Sequence, residues 1–371
     1  MQIVDVSRLK EGMTLAAPVY CNYSYKVLLP KGTTLNSTHL EKLNKFKAKG
    51  YCIIQDSNNS DEINMDILEK VSNTKVRETF LNTYLAGKNL YEDVAQGKYI
   101  DINQAREAAN DLTEQLTCNS NLLAQLATIK IVDEYSFSHM INVAIYAGCF
   151  ARALNFTHDQ VKDICLAGLL HDIGKAKIPQ SILKKPGKLT EEEFKIIKKH
   201  PEYGYEELIE IQEINEDIQQ GVLQHHERIN GEGYPYGLKE REINLISRII
   251  SIVDVYDALT SNRCYRKGLL PHEAAETLMG GSSINDFDLE LTRIFVKSIT
   301  LYPIGTEVML NTGQQAKVIE VPQSFPLRPK IEIIEPGNMI SDKPSPKLDL
   351  LKERTVFITK IIALVICLIK Y

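Results

Sequence analysis

The chain has 371 residues, 44% of them hydrophobic and 25% charged, with a net charge of −5. That length exceeds one ordinary core and predicts two or three folded units. Acidic residues spread along the chain exclude the basic face of a binder of polymeric nucleic acid, but leave room for a small anion held by a few local cations.

Met1-Gln2-Ile3-Val4-Asp5 lacks the basic and apolar regions of a signal peptide, so export is not expected. Cys21, Cys52, Cys118, Cys149, Cys165, Cys264 and Cys367 are scattered and never form a CxxC pair. They predict reduced core thiols in a cytoplasmic protein, not a disulfide frame or a zinc ribbon. Residues 1–56 read as a small β-rich accessory module, its apolar runs punctuated by Gly and Pro, with a short helix over 37–47 and a closing strand at Tyr51 to Ile54. It holds no catalytic constellation and suits docking or dimerisation. Residues 57–123 read as a polar linker and helical connector with a break near Lys98 to Asp101, or else as the first packing layer of the next domain.

Residues 124–300 are almost wholly helical in pattern. Val161 to Leu170 is apolar nearly all round, which predicts a buried helix. Thr190 has capping-box spacing to Glu193, and its helix is expected to run to His200 and stop at Pro201. Ile214, Ile218, Val222 and His225 share one helical stripe, and Ile246, Ile249, Ile250, Val253 and Asp254 put a carboxylate on an apolar face. Residues 301–340 predict a β-hairpin extension around Asn311-Thr312-Gly313, and 341–371 a linker and apolar tail. Within that tail Val356 to Ile369 is fourteen residues long and contains Lys360. It falls short of the ~20 residues a membrane helix needs, and its β-branched richness predicts a buried strand, membrane association being the lesser alternative.

The candidate chemistry lies in the helical block. His171 and Asp172 come directly after a buried helix, a costly placement unless a divalent metal neutralises them. Gly174 is expected to supply the backbone freedom that ends the helix, turning Lys175 back to the same site. His139, His171, Asp172, His200, His225, His226 and Asp254 all take inward positions or helix ends, whereas His158 and His272 flank helix starts, where solvent suffices. His and Asp ligands without thiolate suit iron or manganese, and seven ligands exceed one coordination sphere, so Asp172 is expected to bridge two ions. Such a pair can hold a bridging hydroxide and clamp both oxygens of an in-line phosphoryl displacement, making phosphodiester hydrolysis the natural reaction. Lys175, Arg263 and Arg266 would supply phosphate-directed cations.

Five stretches carry a family resemblance: Tyr135 to His139, His171-Asp-Ile-Gly-Lys175, His200-Pro201, His225-His-Glu-Arg-Ile-Asn-Gly-Glu-Gly-Tyr-Pro235, and Asp254 to Arg266. In order and spacing they resemble the HD-GYP subgroup of the HD phosphohydrolase superfamily. The resemblance implies a mainly α, all-helical metal phosphohydrolase domain, here flanked by a small N-terminal α+β module and a short C-terminal β segment. It implies hydrolysis of cyclic di-GMP to pGpG, often onward to GMP, with the seven His and Asp residues as metal ligands. By position Lys175 resembles the phosphate-contacting lysine, and Arg263 and Arg266 fall where substrate-contacting cations lie. Gly233, Tyr234 and Pro235 form the signature loop, which implies partner contacts or a turn with Tyr234 packed. A signalling partner at this loop or the N-terminal module, and a homodimer, are compatible with it.

The departures are few. Tyr135 stands where trimetal members have Glu, which favours two ions. Asn230 stands where Asp is usual, and Asn285-Asp286-Phe287-Asp288 keeps only part of a glycine-phenylalanine-aspartate pattern. None removes a ligand, so an active enzyme is expected ahead of the alternatives: a silent cyclic di-GMP receptor, or a hydrolase of another cyclic dinucleotide.

Overall fold

A computed structural model describes residues 2–6, 9–15, 19–20, 27–45, 51–55, 73–118, 135–261, 268–299, 302, 304–322, 325, 327–334 and 346–363. At the N-terminus the short apolar runs form β1 (Gln2–Asp5), β2 (Thr14–Leu15), β3 (Val19–Tyr20) and β4 (Val27–Leu29), followed by helix α1 (Ser37–Lys45) and β5 (Tyr51–Gln55). The closing strand β5 lies between β1 and β2, antiparallel to both, and β3 pairs with β4. Gly12 and Gly32 take φ of 87° and 84°, the left-handed region where a side chain is strained, and so make the turns. Leu9, Leu15, Leu29, Leu35 and Leu43 form a separate small core.

The helical block comprises α2 (Thr74–Ala95), α3 (Asn103–Cys118), α4 (Tyr135–Ala153), α5 (His158–Leu170), α6 (Gln180–Leu183), α7 (Glu191–Ile197), α8 (His200–Leu208), α9 (Glu216–Gln224), α10 (Leu245–Thr260), α11 (Pro271–Ser283) and α12 (Leu289–Ser298). Its centre is α5. Thr157 and Gln160 close a capping box at its start, and Val161 and every residue from Ile164 to Leu170 are buried, as the apolar pattern requires. The helix packs against α3, α4 and α9. A Cβ on Gly168 would stand 2.8 Å from the Ala144 Cα, so only glycine lets α4 and α5 approach this closely.

Of the two readings of residues 74–118 the structure takes the packing layer: Val76, Phe80, Leu112 and Leu116 belong to the same hydrophobic cluster as α4, α5 and α10. The non-helical break at residues 96–102 falls where Lys98 to Asp101 predicted it. Pro201 does not stop a helix. The helix capped by Thr190 ends at Ile197, and Pro201 sits in the first turn of α8, where its missing N–H costs nothing. Gly174 is not in the left-handed region. Its role is close approach, since a Cβ there would lie 2.0 Å from the His200 carbonyl oxygen.

Five strands follow among the described residues: β6 (Glu307–Leu310), β7 (Gln315–Glu320), β8 (Lys330–Ile334), β9 (Lys347–Asp349) and β10 (Ile358–Ala363). They form one antiparallel sheet in the order β10-β6-β7-β8-β9. Val308, Leu310, Ala316, Val318, Ile331 and Ile333 alternate inward and join the main core. The hairpin of 301–340 and the tail of 341–371 are thus parts of one sheet, because the β-branched start of the tail pairs with β6. Residues 364–371 lie outside the described residues. No helix among the described residues is long and apolar enough to cross a membrane.

Candidate metal centre

All seven predicted ligands come together. The atoms of Asp172, His200, His225 and His226 lie within 4.8 Å of one another, and so do those of His139, His171 and Asp254. His139 comes from α4 and Asp254 from α10. His171 and Asp172 leave the C-terminus of α5, His200 opens α8, and His225 and His226 come directly after α9. Six of the seven are fully buried, and the His226 side chain keeps 17% of its surface.

Backbone carbonyls set the histidine tautomers. The Nδ1 atoms of His171, His200 and His225 lie 2.7, 2.7 and 2.6 Å from the carbonyl oxygens of Gly168, Ile197 and Val222. A carbonyl only accepts, so each Nδ1 carries the hydrogen and each Nε2 turns a lone pair inward. There the His200 and His225 Nε2 atoms face each other at 3.2 Å, and the His200 Nε2 lies 3.2 Å from the Asp172 Oδ1. Among the described residues the buried His171 Nε2 and Asp172 Oδ1 have no hydrogen-bond partner. Converging buried acceptors with no donor are unfavourable unless a cation sits among them, so the residues present fit divalent metal.

Asp172 lies between the two groups. Its Oδ1 is 3.2 and 3.8 Å from the Nε2 atoms of His200 and His225, and its Oδ2 is 3.4 and 3.8 Å from those of His171 and His139. The ammonium of Lys175 stands 2.5 Å from Oδ2, on the site side as the sequence suggested. Burial alone would raise the Asp172 carboxyl, but Lys175 and His171 outweigh it and hold the group well below the usual carboxylate range. Asp254 is likewise held down against its burial by His139, His226 and His171. Burial, reinforced by neighbouring imidazoles, pushes His225 and His226 well below the ordinary histidine value. Burial lowers His200 too, with the Asp172 carboxylate opposing it. His139 behaves oppositely: burial disfavours its proton, but hydrogen bonds to Asp254 and Asp257 prevail and raise it to about 10.

Three contributors escaped the sequence reading. Asp257 accepts from the His139 Nδ1 at 2.7 Å and from the Asn142 side-chain amide at 2.9 Å, orienting a ligand from behind. The signal available was its place one helical turn after Asp254 on α10. Buried Glu227 accepts the backbone N–H groups of Tyr236 and Leu238 at 2.7 and 3.0 Å and so pins the loop that carries Gly233, Tyr234 and Pro235. The Arg228 guanidinium donates to the Ser251 hydroxyl at 2.5 Å and lies 4.9 Å over the Phe287 ring.

Within that loop a Cβ on Gly233 would meet the Arg228 nitrogen at 2.3 Å, and Tyr234 stacks on His226 with centroids 4.6 Å apart. The packed reading of Tyr234 therefore holds, and the Lys198 ammonium lies 5.0 Å from the centroid of the same tyrosine ring. Two departures from the family pattern meet: the Asn230 amide donates to the Asp286 carboxylate at 2.9 Å, a bond that a carboxylate at position 230 would replace with repulsion. Arg263 and Arg266, and the Tyr135 side chain, lie outside the described residues. His158 is exposed as expected, whereas His272 is bonded to the Tyr302 hydroxyl at 2.6 Å.

Residues 106–291 match the family model of the HD domain, and 307–364 that of a KOW domain associated with HD domain. The chain is 36% identical over 246 residues to a cyclic di-GMP phosphodiesterase of Pseudomonas aeruginosa, covering 66% of this chain and 59% of that protein. It is 48% identical over 124 residues to the cyclic di-GMP phosphodiesterase response regulator RpfG of Xanthomonas campestris, covering 33% of this chain and 32% of the relative. It thus spans less than two thirds of either relative. A solved structure of an HDG"Y"P protein from Bdellovibrio bacteriovorus superimposes with a TM-score of 0.54 at 19% identity, over 80% of this chain and 98% of that one, a likeness of fold.

Proposed function

The chain belongs to the HD-domain family, as an HD-GYP member, and on that premise we propose that it hydrolyses cyclic di-GMP to pGpG and onward to GMP in the cytoplasm. The observation that carries the proposal is the convergence of the inward-facing Nε2 lone pairs of His171, His200 and His225 on the two oxygens of Asp172. In this reading His139, His171, Asp172, His200, His225, His226 and Asp254 would hold two divalent ions, iron or manganese. When bound, such ions supply Lewis acidity that activates water and neutralises phosphate charge.

The chain's own residues do the rest. Asp257 and the three backbone carbonyls fix the imidazole rings, so the lone pairs are oriented before substrate arrives. Lys175 lies beside Asp172, where its ammonium can turn to a non-bridging phosphate oxygen and stabilise the charge that grows there. Arg263 and Arg266 are assigned the remaining phosphate contacts. Tyr234, stacked on the exposed side of His226, narrows the entrance and shields that ligand from water.

The test is an anaerobic incubation of the chain, loaded with Mn²⁺ or Fe²⁺, with cyclic di-GMP, and separation of the products. Formation of pGpG or GMP by the intact chain, lost in Asp172→Asn, is the expected result. Cyclic di-GMP bound but returned unchanged with either metal would replace the hydrolase by a receptor. Turnover of a mixed cyclic dinucleotide in its place would correct the substrate.

A further inference from the structure

A cavity of about 620 Å³ lies between α11, α12 and the C-terminal sheet, and none of the seven clustered ligands lines it. It is walled by two units that match separate family models, and junctions of this kind are common ligand sites. Its chemistry is two-sided. Arg293 and Lys297 enter from α12 and Arg328 from the segment before β8. Arg293 is paired with Glu290 at 2.6 Å, but among the described residues no carboxylate lies within ion-pair distance of Lys297 or Arg328. Among the described residues Arg328 donates to the Val356 carbonyl, at 2.9 Å, and to no carboxylate. Two such cations lining one cavity favour an anion.

The C-terminal side of the cavity carries two aromatic rings left in solvent. Phe325 and Phe357 are 53% and 47% exposed, and both line this cavity. Exposed large aromatic rings in one cavity with cations form the surface on which a nucleobase stacks while its phosphate is neutralised. The volume falls within the range of small-ligand pockets and holds a mononucleotide. Glu273 and Glu276 also line the cavity from α11; Glu273 accepts the Leu270 N–H, and Glu276 can accept from the amino groups of a base.

We propose that this cavity is a second nucleotide site, separate from the histidine cluster, with the phosphate against Lys297 and Arg328 and the base against Phe325 and Phe357. The site joins α11 and α12 to the C-terminal sheet, and α11 packs on α10, the helix of Asp254 and Asp257. The proposal does not rest on the hydrolase reading, since the residues are different.

The test is a calorimetric titration of the full chain with GMP as the probe, in EDTA so that no divalent ion can hold a phosphate at the histidine cluster. One saturable site is expected, unchanged in Asp172→Asn. It should weaken about tenfold or more in Phe325→Ala and in Lys297→Glu, both at exposed side chains, that being the scale on which a base loses a stacking partner. Inorganic phosphate should bind far more weakly. Absence of saturable GMP binding would overturn the proposal. So would binding lost in Asp172→Asn and kept in Lys297→Glu, which puts the nucleotide at the histidines, or phosphate binding as tight as GMP, which leaves a plain anion site.

Discussion

The Nε2 atoms of His200 and His225 face each other at 3.2 Å, each ring having committed its Nδ1 hydrogen to a backbone carbonyl. Neither atom can donate to the other, so the pair is repulsive until a cation enters. Metal binding should therefore stabilise the fold: free metal at a hundred times its Kd adds about 2.7 kcal/mol. For a chain of this size that is a rise in Tm of roughly 3–4 °C. Scanning calorimetry with EDTA and then Mn²⁺ should show it, and His225→Ala should erase most of it. An equal rise in that variant would mean that the ion sits elsewhere.

Asp257 tests whether orientation from behind matters. It holds the His139 Nδ1 at 2.7 Å and touches no other clustered ligand in the hydrogen bonds described. Asp257→Asn keeps the size and can still accept a bond, but removes the charge that fixes the ring. Partners of this kind are worth about 10–100-fold in metal affinity or activity. Metal titration and turnover should both fall in that range. A variant as active as the parent would reduce Asp257 to a helix-packing residue.

The seven clustered residues were legible because each stood next to a local pattern: His171-Asp172 at the end of an apolar helix, His225 on an apolar stripe, Asp254 on another. Residues whose role depends on a distant partner were not. Asp257 looks like any helix carboxylate until His139 from α4 is placed against it. Pro201 reads equally as a stop or a start, and only the end of α7 at Ile197 decides between them. His272 looked solvated because Tyr302, its partner, lies thirty positions away in the chain. The apolar tail gave its strand character, yet not its neighbour β6, since sheet order is a non-local property.

Gly174 should tolerate no side chain. A Cβ there would lie 2.0 Å from the His200 carbonyl oxygen and 2.4 Å from the Gly204 nitrogen, both backbone atoms that cannot swing aside. Overpacking costs about 1–3 kcal/mol, occasionally more. The segments forced apart carry Asp172 and His200, so Gly174→Ala should lose stability and metal affinity together. Gly280→Ala is the control: nothing lies within 4 Å of its added Cβ, and alanine in a helix interior should be neutral or stabilising by up to about 1 kcal/mol. Urea unfolding in EDTA and Mn²⁺ titration read the two effects, and equal stability of the two variants would refute the close-approach argument.

Without metal, the buried imidazoles and carboxylates should make stability depend on pH from both sides. His200, His225 and His226 are depressed below 6.5 by burial. Below that value the unfolded chain takes up protons that the folded chain refuses, so the stability these groups contribute is complete above 6.5 and lost as pH falls. Asp172 and Asp254, held well below 3.8, add a second loss at lower pH. His139 has the opposite sign. Raised from 6.5 to about 10, it contributes fully below 6.5 and its contribution is lost as pH rises toward 10. In EDTA, Tm should thus peak near neutrality and fall on both sides, the acid limb beginning before any carboxylate titrates. His226→Gln should flatten part of the acid limb, and His139→Gln the alkaline limb. A Tm unchanged between about pH 6.5 and pH 5 would mean that the buried imidazoles take up protons in the folded chain as readily as in the unfolded one, contrary to the burial that lowers them.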